Sequence, residues 1–463
     1  MTDTSFAALP LPDDLRPGLD ALGYTTMTAI QAAALPHVLA GRDVVAHAPT
    51  GSGKTATYGL GLLARVDVAQ GETQALVLCP TRELADQVAR QLRTLATGRA
   101  NLKIAVLCGG IPLAPQLASL AHAPHVVVGT PGRVLELVER DALQLSKVRV
   151  VVLDEADRML DMGFEADVRA LVRRTHRERQ GLLFSATFPD AIRTLAAALL
   201  REPVDVGVAA GVEVPAIEQA FIEADGPRAP LVAAALLAHR PQSCVVFCNT
   251  RRDVDELAGS LAHYGFDALA LHGDMEQRDR EEVLVRFANR SALVLVATDV
   301  AARGLDIDGL DAVVNFEPPS DADTYLHRIG RTGRAGRGGL ALTLAGPRDA
   351  SRIAAIVERM SVERMGIPIR SERIAPVAGK PRGVPVAAMA TLRIDAGRTD
   401  KLRPGDIVGA LTGDAGLHKD AIGKIDVYPT RSYVAIARAK ATEALERLRA
   451  GKIKGRRFRV SRL

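Results

Sequence analysis

Val148-Arg149-Val150-Val151-Val152-Leu153-Asp154-Glu155-Ala156-Asp157 is a run of mostly β-branched residues that ends in clustered carboxylates. Such a run reads as a buried parallel strand delivering its acids to the carboxyl edge of a sheet, where α/β proteins bind ligands. Two carboxylates in that position can hold a divalent metal and activate water. Taken in isolation, an acid pair after a strand is more commonly a helix N-cap or a solvated first turn. What decides between the two is an upstream stretch, Ala48-Pro49-Thr50-Gly51-Ser52-Gly53-Lys54-Thr55.

That stretch is a phosphate-loop pattern with Ala48 where the first glycine usually stands. Between a strand and a helix, Thr50, Gly51, Ser52 and Gly53 let backbone N–H groups wrap phosphates. Lys54 then reaches the β- and γ-phosphates, and Thr55 offers its hydroxyl to Mg²⁺. With the loop in place, phosphoryl transfer from ATP requires a carboxylate to anchor the hydrated metal and a group to orient or deprotonate water. Asp154 suits the first role, partly through water, and Glu155 the second.

Outward from these motifs, short Val/Leu-rich runs alternate with helical segments over residues 1–207: Asp43–Ala46, Ala75–Leu78, Ile104–Leu107, His125–Val128, Val150–Leu153 and Gly181–Phe184. This alternation predicts a doubly wound parallel sheet. Asp205 to Pro215 reads as a linker. Alternation resumes over 215–374, with runs at Cys244–Cys248, Ala268–Leu271, Ala292–Val296, Ala312–Phe316 and Leu340–Leu344, but without a second phosphate loop. The Pro/Gly-rich stretch Ala375–Pro385 is a second break. Residues 384–463 then read as strand (Ala390–Ile394), helix (about Arg403–Leu411), strand (Lys424–Val427), strand (Tyr433–Ala437), helix (Ala441–Leu448) and strand (Arg457–Val460). That βαββαβ order is the one an RNA-recognition-motif sheet uses.

Composition narrows the class. A chain of 463 residues, 48% hydrophobic and 24% charged, is that of a soluble multidomain globular protein. No apolar stretch reaches membrane-spanning length and the start carries no leader pattern, so the cytoplasm is the expected location and no membrane partner is expected. Cys79, Cys108, Cys244 and Cys248 lie in apolar segments without Cys-x-x-Cys spacing, which predicts buried reduced thiols rather than zinc ligands or disulfides. The net charge of +5 is unevenly placed: residues 380–463 carry 19 Lys and Arg against 8 Asp and Glu, and the preceding 379 carry 40 against 46. A basic tail on a mildly acidic body points to a polyanion partner, with nucleic acid ahead of membrane.

Charge that grows on a transferred phosphoryl group needs cations beyond Lys54. Tyr325-Leu326-His327-Arg328-Ile329-Gly330-Arg331-Thr332-Gly333-Arg334 spaces three arginines three residues apart. Alone this is as well read as a solvated basic helix start. Beside a phosphate loop it reads as a source of arginine fingers, Arg331 and Arg334.

In this combination the chain resembles a DEAD-box RNA helicase, a superfamily-two ATPase of two RecA-like domains. The matching motifs, in order, are Gly23-Tyr24 through Gln31, the phosphate loop, Pro80–Ala85, Gly109-Gly110, Thr130–Arg133, Asp154–Asp157 and Ser185–Thr187, then Val246–Thr250, Gln277 with Arg280, Thr298-Asp299 with Ala302–Asp306, and His327–Arg334. The resemblance implies that Gln31 selects adenine, that Tyr24 stacks on the base with Phe6 behind it, and that Asp306 touches the nucleotide. Met27 and Ala29 stand where the family usually has prolines. It also implies that Asp157, Ser185, Thr187 and His327 couple hydrolysis to domain closure. RNA contacts implied in the same way are Thr81, Arg82, Gly110, Thr130 and Arg133, with Gln277, Arg280, Thr298, Asp299 and Arg303. Hydroxyls, glycine N–H groups and arginines suit phosphate and 2′-hydroxyl contacts, so the core should be nearly blind to sequence.

Specificity then falls to the tail. Arg447–Arg462 holds eight basic residues and no acid, and Lys452, Lys454 and Arg456 begin a phosphate-binding edge. Leu402–Gly413 and Gly423–Ile425 resemble the RNA-binding domain of the bacterial DbpA subfamily, a divergent RNA-recognition motif. The usual aromatic pair is missing from its sheet, leaving Tyr433 as a lone platform or a core residue. Subfamily resemblance implies a target in large-subunit ribosomal RNA, and so a monomeric, Mg²⁺- and ATP-dependent RNA helicase acting on pre-ribosomal particles in 50S assembly. Two rivals remain: an RNA clamp that closes on ATP with negligible turnover, and a DNA-directed motor.

Overall fold

A computed structural model describes residues 5–47, 52–207, 217–302, 309–333, 338–362, 370–414 and 416–463. These fall into two compact units, the first carrying one sheet and the second carrying two.

The first sheet has seven strands: β1 (Val44–His47), β2 (Ala75–Leu78), β3 (Ile104–Leu107), β4 (Val126–Gly129), β5 (Val150–Asp154), β6 (Gln180–Ser185) and β7 (Val204–Gly207). All are parallel, in the order β3-β4-β2-β5-β6-β1-β7. Every residue of β2, β4, β5 and β6 is buried, as their unbroken apolar runs require when helices cover both faces. Leu76, Val151 and Leu183 pack to one side, and Val77, Val152 and Leu182 to the other.

The second sheet comprises β8 (Ile217–Glu223), β9 (Cys244–Cys248), β10 (Ala268–Leu271), β11 (Val294–Thr298), β12 (Ala312–Asn315), β13 (Gly339–Ala345) and β14 (Arg370–Glu372). Its order is β10-β11-β9-β12-β13-β8-β14, again all parallel. Counted within each sheet, the two strand orders are identical. The fold class expected from the sequence is therefore observed.

Three strands escaped the sequence reading. β7 alternates exposed and buried positions, and it falls partly in the expected linker at Asp205–Pro215. β8 interrupts its apolar side with Glu218 and Gln219, and β14 is three largely polar residues. Each lies at or next to a sheet edge, where burial no longer imposes a continuous apolar run.

The third sheet has four strands: β15 (Met389–Ile394), β16 (Ile422–Val427), β17 (Ser432–Ala437) and β18 (Val460–Arg462). They are antiparallel in the order β16-β17-β15-β18. Leu392, Ile394, Val434 and Ile436 form one face and pack under the helix Ala441–Ala450. The expected helix from Arg403 is Pro404–Gly409, followed by a wider turn over Ala410–Asp414. The last strand begins at Val460, not Arg457. The basic residues ahead of it instead form a tight turn in which Ile453 and Arg456 exchange backbone hydrogen bonds of 2.8 and 3.1 Å. Lys454 and Gly455 both have positive φ there, the signature of a two-residue reverse turn.

The other face of this sheet does not face solvent. Thr391 is fully buried, and its hydroxyl lies 2.6 Å from that of Ser291 and accepts from the Asn289 amide at 3.3 Å. Arg393 pairs with Glu282 at 3.2 Å, and Arg438 with Asp267 at 2.7 Å. Tyr433 and Ala435, on the same face, are 2% and 1% exposed. Tyr433 is thus a buried residue in this arrangement, not an open stacking platform. All four cysteines are buried and unpaired. Among the described residues no helix is long and apolar enough to cross a membrane.

Candidate nucleotide site and RNA surface

The candidate residues of the first unit sit at the carboxyl edge of the first sheet. Lys54 opens the helix Lys54–Arg65 after β1, Asp154 ends β5, and Ser185 ends β6. β5, β6 and β1 are adjacent, so the sheet order brings phosphate loop and acids together. Ala48, Thr50 and Gly51 lie outside the described residues, as do Arg303, Asp306 and Arg334.

Among the polar atoms buried here without hydrogen-bond partners among the described residues are the Lys54 ammonium and Oδ1 of Asp154. Unpartnered buried charge is costly, and native structures keep it where a ligand completes the shell. Burial pushes the Asp154 carboxyl up to about 6, with the Lys54 charge opposing the rise and the Glu155 charge adding to it. Oδ2 of Asp154 accepts a 2.7 Å hydrogen bond from the Tyr58 hydroxyl.

Glu155 adopts the left-handed conformation, φ 53° and ψ 53°, and caps the helix Ala156–Asp161. Such a backbone is strained for a non-glycine residue and is typical of functional turns. Its carboxylate pairs with Arg158 at 3.4 Å, both side chains being buried. Asp157 accepts from the Thr187 backbone at 3.0 Å and from the Thr187 hydroxyl at 2.9 Å, while its own N–H donates to Ser185 Oγ at 3.3 Å. The Ser185 hydroxyl donates in turn to the Thr187 carbonyl at 2.8 Å. A closed network thus joins the turn after β5 to the turn after β6.

On the base side, Tyr24 is half-buried and lies parallel to Phe6, ring centres 6.2 Å apart. Gln91 donates to its hydroxyl at 3.1 Å. The Gln31 side chain accepts from Thr28 N–H at 2.8 Å and donates to the Gly53 carbonyl at 3.3 Å. An amide holds two acceptor sites and two N–H groups, so one of each remains for a base edge. The Thr28 hydroxyl donates to Ser52 O at 2.7 Å. Gly53 has φ +99°, and a Cβ there would stand 2.5 Å from the Gln31 amide nitrogen, so glycine is required.

The other half of the same edge gathers the RNA candidates. Thr81 caps the helix Arg82–Leu95, and its hydroxyl accepts from Leu84 N–H at 3.3 Å. Gly109 N–H donates to the Thr130 hydroxyl at 3.2 Å, and Arg133 donates to the Ile111 carbonyl at 3.0 Å. Gly110, with φ +69°, lies so close beneath Arg82 that a Cβ would meet its guanidinium at 2.4 Å. β3, β4 and β2 place these groups side by side.

In the second unit, Thr298 ends β11 and its buried hydroxyl has no partner among the described residues. Asp299 receives two 2.7 Å bonds from Arg328. Arg328 also donates to Asn249 (2.8 Å), Asn315 (3.1 Å) and the Glu317 carbonyl (3.2 Å), and it lies over the Phe247 ring. Arg331 is buried, and His327 immediately precedes Arg328 on the helix Ala322–Ile329. Gln277 opens the helix Gln277–Ala288, its amide donating to Glu281 at 3.4 Å, and Arg280 lies buried in its first turn. Lys452, Lys454 and Arg456 are exposed, with Lys454 held by the Lys401 carbonyl at 2.8 Å.

Sequence reasoning missed Tyr58, Gln91 and Asn315, and it did not pair Asp299 with Arg328. The one local signal was a hydroxyl-bearing Tyr58 four residues after Lys54 in the same helix.

Comparisons with known proteins agree with this geometry. Residues 28–195 match the DEAD/DEAH box helicase family, 228–336 the helicase conserved C-terminal domain, and 391–462 the DbpA RNA binding domain. The ATP-dependent RNA helicase DbpA of Escherichia coli K12 is 50% identical over 460 residues, covering 99% of both chains. The DEAD-box ATP-dependent RNA helicase CshA of Bacillus cereus is 42% identical, covering 80% of this chain and 71% of its own. Among solved structures, S. cerevisiae Dbp5 bound to RNA and ADP BeF3 aligns with a TM-score of 0.72 at 31% identity, covering 80% of this chain and 96% of that one. The chain belongs to the DEAD-box ATP-dependent RNA helicases, within the DbpA subfamily. It is accordingly an ATP-using enzyme with an RNA-binding C-terminal domain.

Proposed function

We propose that this chain couples RNA-stimulated ATP hydrolysis to local opening of RNA duplexes, and that its C-terminal domain directs it to large-subunit ribosomal RNA in 50S assembly. The observation that carries the nucleotide half of this reading is the buried pair Lys54 Nζ and Asp154 Oδ1, neither with a hydrogen-bond partner among the described residues. A cation and an anion left open together at a sheet's carboxyl edge suit a metal-bearing polyphosphate. A magnesium ion held there by Thr55 and, partly through water, by Asp154 would neutralise charge on the phosphate oxygens. Lys54 grips the β- and γ-phosphates. Glu155 orients the attacking water and accepts its proton. Arg331 and Arg334 meet the transferred phosphoryl group when ATP and RNA close the two RecA-like domains. Asp157, Ser185 and Thr187, with His327, transmit the nucleotide's state to the RNA surface.

The RNA half assigns backbone and 2′-hydroxyl contacts to Thr81, Arg82, Gly110, Thr130 and Arg133, and to Gln277, Arg280, Thr298, Asp299 and Arg303. Lys452, Lys454 and Arg456 hold the targeting RNA by phosphate contacts. The division of labour is by domain, over residues 1–207, 215–374 and 384–463, in a chain that works as a monomer in the cytoplasm. Tethering through the tail raises the local concentration of neighbouring RNA helices at the core.

The test is ATPase activity against fragments of the peptidyl-transferase region of ribosomal RNA, poly(A) and single-stranded DNA, with and without residues 384–463. Stimulation selective for the ribosomal fragments, lost on truncation, is the expected result. A truncated chain that keeps the preference removes specificity from the tail. Equal stimulation by DNA removes RNA as the substrate class.

A further inference from the structure

Tyr58 lies four residues after Lys54 on the helix Lys54–Arg65, and this spacing puts both side chains on one helix face. The Tyr58 ring is fully buried and packs edge-on against Phe184 of β6, ring centres 5.2 Å apart at 61°. Phe184 stands opposite Asp154 in the β5–β6 register. Helix and sheet thus fix the ring from two sides, and its hydroxyl meets Asp154 Oδ2 at 2.7 Å. The other oxygen of that carboxylate, Oδ1, is buried with no hydrogen-bond partner among the described residues.

A carboxylate at a strand end turns easily about its terminal torsion, which is broad and roughly two-fold. Binding one oxygen decides where the other points. A buried tyrosine hydroxyl also needs a partner of its own, and any acceptor would meet that need. Here the acceptor is the residue read as the metal anchor, and the bond occupies one of its oxygens while the other has no partner among the described residues.

We propose that Tyr58 is a positioning residue for the metal-bearing nucleotide: by holding Oδ2 of Asp154 it keeps Oδ1 presented to the hydrated magnesium ion. This rests on the assignment of Asp154 as metal anchor. Tyr58→Phe removes one oxygen and keeps the ring, so it separates the hydroxyl's contribution from packing. A purely structural hydroxyl would affect folding alone. A positioning hydroxyl affects the part of nucleotide affinity that depends on metal.

The experiment titrates the full-length protein with a fluorescent ADP analogue in Mg²⁺ and in EDTA, for the parent, Tyr58→Phe, Asp154→Asn and the double variant. Thermal melting of each variant confirms folding. In Tyr58→Phe the magnesium-dependent gain in affinity should shrink roughly tenfold, the lower end of what is expected for a hydrogen bond to a charged group, with affinity in EDTA unchanged. In the Asp154→Asn background the same substitution should have no further effect on that gain. Binding of Mn²⁺ to the ADP complex, followed by electron paramagnetic resonance, should weaken in parallel. A Tyr58→Phe gain equal to or larger than the parent's, or an equal loss in both media, overturns the proposal. If Asp154→Asn itself keeps the parental gain, the anchor assignment beneath it falls as well.

Discussion

The two seven-stranded sheets share one strand order yet treat their carboxyl edges in opposite ways. At the first, Lys54 and Asp154 are buried with polar atoms that have no hydrogen-bond partner among the described residues. At the second, Arg328 is buried just as deeply, but its guanidinium meets Asp299, Asn249, Asn315 and the Glu317 carbonyl. At one edge Lys54 and Asp154 keep polar atoms without partners among the described residues, and at the other the buried arginine is saturated. The lesson is that shared topology supplies an edge, whereas the hydrogen-bond inventory decides whether that edge binds or stabilises.

The largest expected effect is at Glu155, the residue proposed to activate water. Glu155→Gln should lower RNA-stimulated turnover by about 10²- to 10⁴-fold while nucleotide affinity stays near parental, because only proton acceptance is lost. Phosphate release and fluorescent-nucleotide binding measured together check this, and near-normal turnover would remove Glu155 from its role.

Next comes the saturated edge. Arg328→Ala should destabilise the second unit by about 3–5 kcal/mol, since it leaves the buried Asn315 amide and the partly buried Asp299 carboxylate without their partner. Lys54→Ala should abolish nucleotide binding yet leave stability within about 0.5 kcal/mol or raise it. Urea unfolding with hydrogen exchange resolved to β1, β9, β11 and β12 separates the two. Equal stability losses in both variants would erase the contrast.

A smaller effect follows from the raised Asp154 carboxyl. Its folded value of about 6 stands above the ordinary 3.8. The unfolded chain therefore ionises first, and the nucleotide-free protein loses stability as pH rises between about 4 and about 6, by roughly 2–3 kcal/mol. Asp154→Asn removes that loss: it should match the parent at pH 4 and exceed it at pH 8. A difference independent of pH would show that the carboxylate is not strained in the free protein.

Smallest is the covered face of the third sheet. Thr391→Val leaves shape intact but strips the hydroxyl from Ser291 and Asn289, and about 1 kcal/mol of local stability should go with it. Faster hydrogen exchange in β15 and β17 would report the loosening; unchanged exchange would mean that the contact contributes nothing.

Much of this was legible before the coordinates. The phosphate loop and the acids after Leu153 are each contiguous, so their chemistry is written in neighbouring residues. Fully buried strands announce themselves as unbroken apolar runs, and β2, β4 and β5 were located to within a residue. β7, β8 and β14 were not, because one-sided burial at a sheet margin leaves polar residues in the run. The strand expected over Arg457–Val460 begins only at Val460, and the basic residues ahead of Arg457 turn the backbone at Lys454 and Gly455.

The sequence by itself determined the fold class and the family and proposed the reacting groups, since these depend on local pattern and spacing. Tertiary structure alone decided which groups are satisfied. The Tyr58–Asp154 bond joins residues 96 positions apart, and the Ser291–Thr391 contact joins residues 100 apart. Hydrogen bonds of that reach depend on how helices and sheets pack, and packing is a property of the whole folded chain rather than of any stretch within it.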